Sequence, residues 1–405
     1  GGLPEQSRRS GNDRESGVNH MSRLCVFMLP LAPDYSGAAS ALFDLGGIVV
    51  MHDASGCTGN FTGYDEPRWM GSRSAVYCSG LRRMDAVLGN DEKFIDATLK
   101  AAEDLNPSII AYLGSPVPTV IGTDLKGMAA ETENISGIPS FGFPTTGLDY
   151  YDKGASDVFM TLIRRFAKKK SAAEKTSKKL NVLGMLPLDV GNRGNSDRIL
   201  AWLKDAGYEI QSDFAMGLSV DQIKNCPDAD LNLVVARSGL AAARFLEKKY
   251  GIPYICGLPL GDGAELKDRL EKQEQFQPLP EGNSDKKGIL IIHEQIFANE
   301  LRALLSKETD VPITVGNLFG LEAELKAHQD VHLPDELSAI REINSGKYQV
   351  VLADPEFEKV IRREDVRLVS LPHVALSSKL HWDEYPDYLG EDISKIIEST
   401  VKGRN

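Results

Sequence analysis

The feature that most constrains this chain is a repeated alternation. Short apolar, β-branched runs at positions 47–51, 108–113, 181–186, 231–236, 288–292, 348–353 and 366–371 are separated by longer stretches with helical spacing. Runs apolar at every position suit strands buried on both faces, the signature of parallel sheets. Parallel neighbours need a crossover, and the helical stretches supply it. The pattern therefore predicts an α/β fold of Rossmann-like units. A Lys-rich stretch at 168–179 and a Pro-, Gly-, Asn- and Ser-containing stretch at 275–287 interrupt the alternation, which divides the chain into three expected domains, 21–170, 180–275 and 286–405, the last ending in a helix. A chain of 405 residues with 42% hydrophobic content can bury cores of that number. Residues 1–20, rich in Gly, Ser, Arg and Asn, read as a disordered tail or cloning remnant.

Composition removes several function classes. No apolar stretch approaches the ~20 residues that span a bilayer, and the N-terminal residues lack the order of a signal peptide, so a cytoplasmic protein without a membrane partner is expected. The net charge of −12 opposes a general affinity for nucleic acid. The basic run of Lys168 to Lys170 with Lys175, Lys178 and Lys179 reads as a solvated linker.

Five cysteines remain to be explained. Cys57, in His52-Asp-Ala-Ser-Gly-Cys57, and Cys78, in Tyr77-Cys78-Ser-Gly, each follow an apolar run, which places both near strand ends, where open α/β sheets bind ligands. A disulfide is the plain alternative, but the expected compartment is reducing. Soft thiolates select iron-sulfur clusters, zinc or Cu(I), although two ligands complete none of them. Gly56, Gly59 and Gly80 would let backbone come close to a cluster and offer it N–H groups. Buried, inert cysteines are the competing reading. Cys25 and Cys256 sit in apolar strand-like runs and are expected in the core, while Cys226, before Pro227, is expected at the surface or as a cap.

These segments resemble nitrogenase component 1, that is, the α and β chains of the molybdenum-iron protein and the related dark-operative protochlorophyllide and nickel-tetrapyrrole reductases. Cys57 and Cys78 match the family's first two cluster cysteines, and Val87-Leu-Gly89-Asn matches the motif after the second. Val120-Ile-Gly122-Thr-Asp124 is retained, but Ser115-Pro116 stands where the third cysteine falls. Asn181-Val-Leu-Gly184, Trp202-Leu-Lys-Asp205-Ala-Gly207, the helix and Tyr-Gly of 243–254, and Leu380-His-Trp-Asp-Glu-Tyr385 carry the likeness over positions 24–397.

The resemblance implies three domains around a central cleft and an iron-sulfur cluster, a 4Fe-4S centre in the simplest case, on Cys57 and Cys78, with Gly56, Gly59, Gly80 and Ser115 in the cofactor-binding loops. Two copies pairing about a twofold axis would supply four thiolates; a paralogous component 1 subunit is the other arrangement. An iron-molybdenum cofactor is not expected, because its cysteine ligand has no counterpart in Leu233-Val-Val-Ala. His381, near that cofactor's histidine ligand in the family, is then a hydrogen-bonding or proton-donating residue. The chain has neither a phosphate loop nor a dinucleotide fingerprint. A P-loop iron protein would therefore deliver electrons in an ATP-driven two-component reductase, with a nickel tetrapyrrole as a candidate substrate. The alternatives are a non-catalytic scaffold for metal-cofactor assembly and an α/β binding protein without a cluster.

Overall fold

The structure, a computed structural model, describes residues 25–402 apart from 73, 172–177, 192, 279–281 and 284. The expected tail at 1–20 and Lys175 lie outside the described residues. Three wholly parallel sheets appear, in the orders β2-β1-β3-β4, β6-β5-β7-β8 and β11-β10-β9-β12-β13. The first comprises β1 (Ile48–Met51), β2 (Ala75–Cys78), β3 (Ile110–Leu113) and β4 (Ser140–Phe143). The second comprises β5 (Lys178–Met185), β6 (Tyr208–Ala215), β7 (Leu231–Val234) and β8 (Tyr254–Cys256). The third comprises β9 (Gly288–Ile292), β10 (Ile313–Asn317), β11 (Val331–His332), β12 (Tyr348–Ala353) and β13 (Arg367–Ser370). Lys178 and Lys179, expected in a linker, instead open β5.

The continuous apolar runs are explained by what covers each face. Alternate side chains of a strand point to opposite sides. Ile48, Val50, Ile110 and Tyr112 pack with Phe94, Ile95 and Met128, whereas Val49, Met51, Ala111 and Leu113 pack with Tyr151, Phe159 and Leu162 on the other side. Each such buried side chain contributes roughly 1.5–3 kcal/mol. The cores are also shared between sheets. Leu183 and Val234 of the second sheet join the first sheet's core, and Leu180 and Val182 pack in one cluster with Ile289, Ile291, Val350 and Leu352 of the third.

The Tyr151–Phe166 helix is the main connector. It buries Tyr151, Ala155, Val158, Phe159, Leu162 and Ile163 at helical spacing and lies on the Asp34–Leu42 helix, all of whose residues are buried. Their approach is set by two glycines. A Cβ at Gly37 would fall 1.8 Å from the Tyr151 carbonyl oxygen, and one at Gly154 would fall 1.9 Å from that of Asp34.

The strands that had no clear signal are those with polar or small residues. β6 carries Glu209, Gln211, Ser212 and Asp213; buried Ser212 donates to Asn181 of β5 at 2.6 Å, and Asn181 donates to Asn232 of β7 at 2.8 Å, a polar ladder across three strands. β4 reads Ser-Phe-Gly-Phe. At the chain's far end, Tyr388 and Ile393 join the core shared by the second and third sheets, and Arg198 pairs with Asp387 at 2.9 Å.

Candidate cluster site

The first sheet's order, 2-1-3-4, reverses direction between β1 and β3, and the crevice outside the carboxyl ends of such strands is where open α/β sheets bind ligands. The three expected positions lie at the exits of β1, β2 and β3. Cys57 is the second residue of the short Gly56–Asn60 helix after β1, Cys78 is the last residue of β2, and Ser115 immediately precedes the Pro116–Ile121 helix after β3. Met51 of β1 is in register with Cys78 and with Leu113, so the chain ends converge.

Asp53 is the point on which they converge. Its carbonyl accepts from the Cys78 thiol at 3.3 Å, and its carboxylate holds the start of the helix that carries Cys57. The same carboxylate accepts from the Ser55 and Thr58 amides at 2.9 and 3.1 Å and lies 3.5 Å from the Ser115 hydroxyl. Ser115 also donates to the His52 carbonyl at 3.0 Å. Burial pushes the Cys57 thiol above its ordinary value; hydrogen bonds from Tyr35 and Ser115 pull the other way, and the Asp53 charge adds to the rise. Cys78 receives the Gly80 amide at 3.3 Å.

Both thiols are half-buried and unpaired with any other cysteine. Gly56, Gly59 and Gly80 border open space, with nothing within 4 Å of an added Cβ, so no contact within the chain demands the glycines at 56 and 59, while Gly80 has φ +66°. Among the described residues no three His, Cys, Asp or Glu side chains are grouped to hold a metal ion. The donor set therefore fits half of a four-thiolate cluster site, open on its outer side.

The remaining candidates divide. His52 is buried with its ring edge-on to Phe94 at 4.8 Å, a structural role. His381 is largely buried and directs Nδ1 to Glu384 at 3.0 Å; it does not sit with the cysteines. Its segment does reach them indirectly, because Ser378 donates to Asp65 at 2.8 Å. Cys256 is buried as expected. Cys25 is exposed rather than in the core, in a non-strand segment whose following amides, Val26 to Met28, are held by the Glu336 carboxylate. Cys226, expected at the surface, is fully buried, since its helix end is covered by the shared core of the first two sheets.

Sequence reasoning missed Asp53 although it stands inside the quoted motif, where a carboxylate four positions before Cys57 was the available signal. It also missed Asp65, which accepts from Ser36 and Asn60 at 2.7 Å each besides Ser378, and Arg68, fully buried with Nε 2.7 Å from Glu66 and Nη1 3.1 Å from Asp44. A second polar centre lies where the three units meet. Tyr151 donates to Asp189, His373 Nε2 lies 3.6 Å from the same oxygen, and the His293 and His373 rings stack at 4.2 Å. Burial pushes Asp189 and Glu294 each up to about 8 and His373 down to about 3. Glu294 accepts three backbone amides, from Arg237, Ile296 and Phe297, which favours its charge, so the proton rests on Asp189. These residues follow β5, β9 and β13, and a polar residue just past each apolar run was their only trace.

Among known proteins, a light-independent protochlorophyllide reductase subunit of Ephedra altissima is 28% identical over 196 residues, covering 45% of this chain and 38% of that protein. The nitrogenase molybdenum-iron protein alpha chain of Clostridium pasteurianum is 29% identical over 186 residues, 44% of this chain and 33% of that one. The nitrogenase iron-molybdenum cofactor biosynthesis protein NifE of the same organism is 30% identical over 188 residues, 44% and 38%. The matched part thus spans less than half the length of these relatives. A solved structure, nitrogenase Cp1 at pH 5, shares the fold over 95% of this chain and 90% of its own, with a TM-score of 0.67 at 19% identity. The family described as nitrogenase component 1 type oxidoreductase matches residues 33–264; with three parallel sheets and the cysteines at the exits of the first, the chain belongs to that family.

Proposed function

We propose that the protein is a component 1-type subunit of a two-component reductase, holding a 4Fe-4S cluster on Cys57 and Cys78 at a contact with a second component 1-type chain. The observation that carries this reading is that Asp53 ties together the segments bearing both cysteines at the carboxyl end of the first sheet, with no third ligand grouped with them among the described residues. When bound, such a cluster supplies one-electron chemistry; the chain supplies thiolates, hydrogen bonds and shelter.

The surface around the site supports a partner there. The short helices that follow β2 and β3, Arg83–Leu88 and Pro116–Ile121, expose apolar side chains, Val87 at 72% and Val120 at 86%. Met84 and Leu88 add to the first of them. Apolar surface of this kind marks interaction sites. A twin copy adds two more thiolates and closes the site. Electrons would come from a P-loop iron protein, and a tetrapyrrole is the substrate class we assign, with His381 as a proton donor. A scaffold role in cofactor assembly is the second reading, favoured by the likeness to NifE.

Anaerobic purification with iron and sulfide analysis tests the first step. Cys57→Ala and Cys78→Ala should each remove the iron, and Cys226→Ala should leave it in place. Iron content indifferent to the first two changes would sink the assignment. Multiple turnovers with an iron protein and MgATP then separate a reductase from a scaffold, which would give stoichiometric hand-off.

A further inference from the structure

The second and third sheets each have a point where strand order reverses, between β5 and β7 and between β9 and β12, and the crevice outside such a point is where open α/β sheets bind ligands. Here the two crevices meet, and side chains fill them. Asp189 follows β5, Ser238 follows β7, His293 and Glu294 follow β9 and Asp354 follows β12, all 3% exposed or less. The Arg237 amide crosses from the second unit to the Glu294 carboxylate of the third at 2.9 Å. The filling is poorly satisfied, because Asp189 Oδ2, Ser238 Oγ, His293 Nδ1 and His373 Nε2 are buried without a hydrogen-bond partner. Buried polar atoms in that condition favour any state in which water reaches them, so the closed junction needs a restraint from outside it.

Arg237 is placed to supply that restraint. From the second unit its guanidinium pairs with Asp152 of the Tyr151–Phe166 helix at 3.1 Å and with Glu322, beyond β10, at 3.4 Å, and it donates to the Phe319 carbonyl. One side chain thus grips both other units. Gly320, at φ +115°, leaves room for it, since a Cβ there would lie 2.9 Å from Arg237 Nη1. The grip sits at the rim: the Arg237 and Glu322 side chains are 20% and 25% exposed, whereas the polar groups behind them are sealed.

We propose that the Arg237 guanidinium is a latch: held, it keeps the crevice between the units closed, and released from Asp152 and Glu322 it lets the units part and opens the crevice to solvent. A closed and an open state of this kind are the ordinary repertoire of domains that meet around a cleft. The latch stands whether or not Cys57 and Cys78 hold a cluster.

Hydrogen-deuterium exchange of the full chain tests it. The junction is read on peptides covering 237–240, 294–298 and 372–376, where the amides of Arg237, Ile296 and Phe297 are held by Glu294 and that of His373 by Asp354. Peptides covering 180–184, 288–292 and 348–352, inside the sheets, are the reference. Arg237→Gln should speed exchange of the junction set about tenfold, as loss of a charged hydrogen-bonded pair implies, and leave the reference set unchanged. Equal acceleration in both sets would mean a general loosening and would overturn the latch, as would an unchanged junction set. Should Arg237→Gln not fold, Glu322→Gln, which removes one partner at the exposed rim, decides on the same peptides: faster exchange of the junction set alone supports the latch, and any other pattern overturns it.

Discussion

At the scale of single residues, a buried ion group ties the segment that returns to β2 to the Asp34–Leu42 helix. Arg68 bonds Glu66 and Asp44 and donates to the Ser40 carbonyl at 2.8 Å, and Glu66 accepts from Ser40 Oγ at 2.9 Å. Removing one partner of a buried pair leaves the other charge without compensation, at a cost of about 3–5 kcal/mol. Arg68→Met should therefore lower the unfolding free energy measured in urea by that much, and adding Glu66→Gln should recover part of the loss; strictly additive losses would contradict the coupling. None of this was legible beforehand, because an Arg and a Glu two positions apart look like any solvated pair. The places of Cys57 and Cys78 after β1 and at the end of β2 were legible because each follows an apolar run.

At the scale of elements, the Asp34–Leu42 and Tyr151–Phe166 helices meet backbone to backbone. Alanine at position 154 would gain about 1 kcal/mol in helix propensity, yet its methyl would overlap the Asp34 carbonyl. Overpacking of that sort costs about 1–3 kcal/mol, and with backbone as the obstacle the upper end applies. We expect Gly154→Ala to lose about 2 kcal/mol net in chemical denaturation; a neutral or stabilised variant would show that the helices slide freely. The mainly apolar strands β1, β3, β5, β7, β9, β12 and β13 were legible, whereas β6 carries Glu209, Gln211, Ser212 and Asp213 and was not, although Ser212 is buried on a hydrogen bond to Asn181. Periodicity reports burial by apolar contact, and it is blind to burial satisfied by hydrogen bonds.

At the scale of the whole molecule, the polar centre at the junction of the three units makes stability depend on pH. Asp189, which holds the proton of this pair, is raised in the folded state to about 8, from 3.8, so its contribution is full below 3.8 and is lost as pH rises through about 8. His373, lowered from 6.5 to about 3, acts oppositely: its contribution is present above 6.5 and is lost as pH falls toward 3. Between pH 6.5 and 8 only the acidic branch remains. Stability should fall there by roughly 1 kcal/mol per pH unit for each proton released, and Asp189→Asn should flatten the slope measured by denaturation across that range. The glycines facing outward beside Cys57 have a different consequence. Gly56, Gly59 and Gly63 have no positive φ and no neighbour to avoid, yet each weakens a short helical segment by about 1 kcal/mol relative to alanine. The isolated fold would be served better by methyl groups at all of them, so the bare backbone on this face is shaped to something outside the chain.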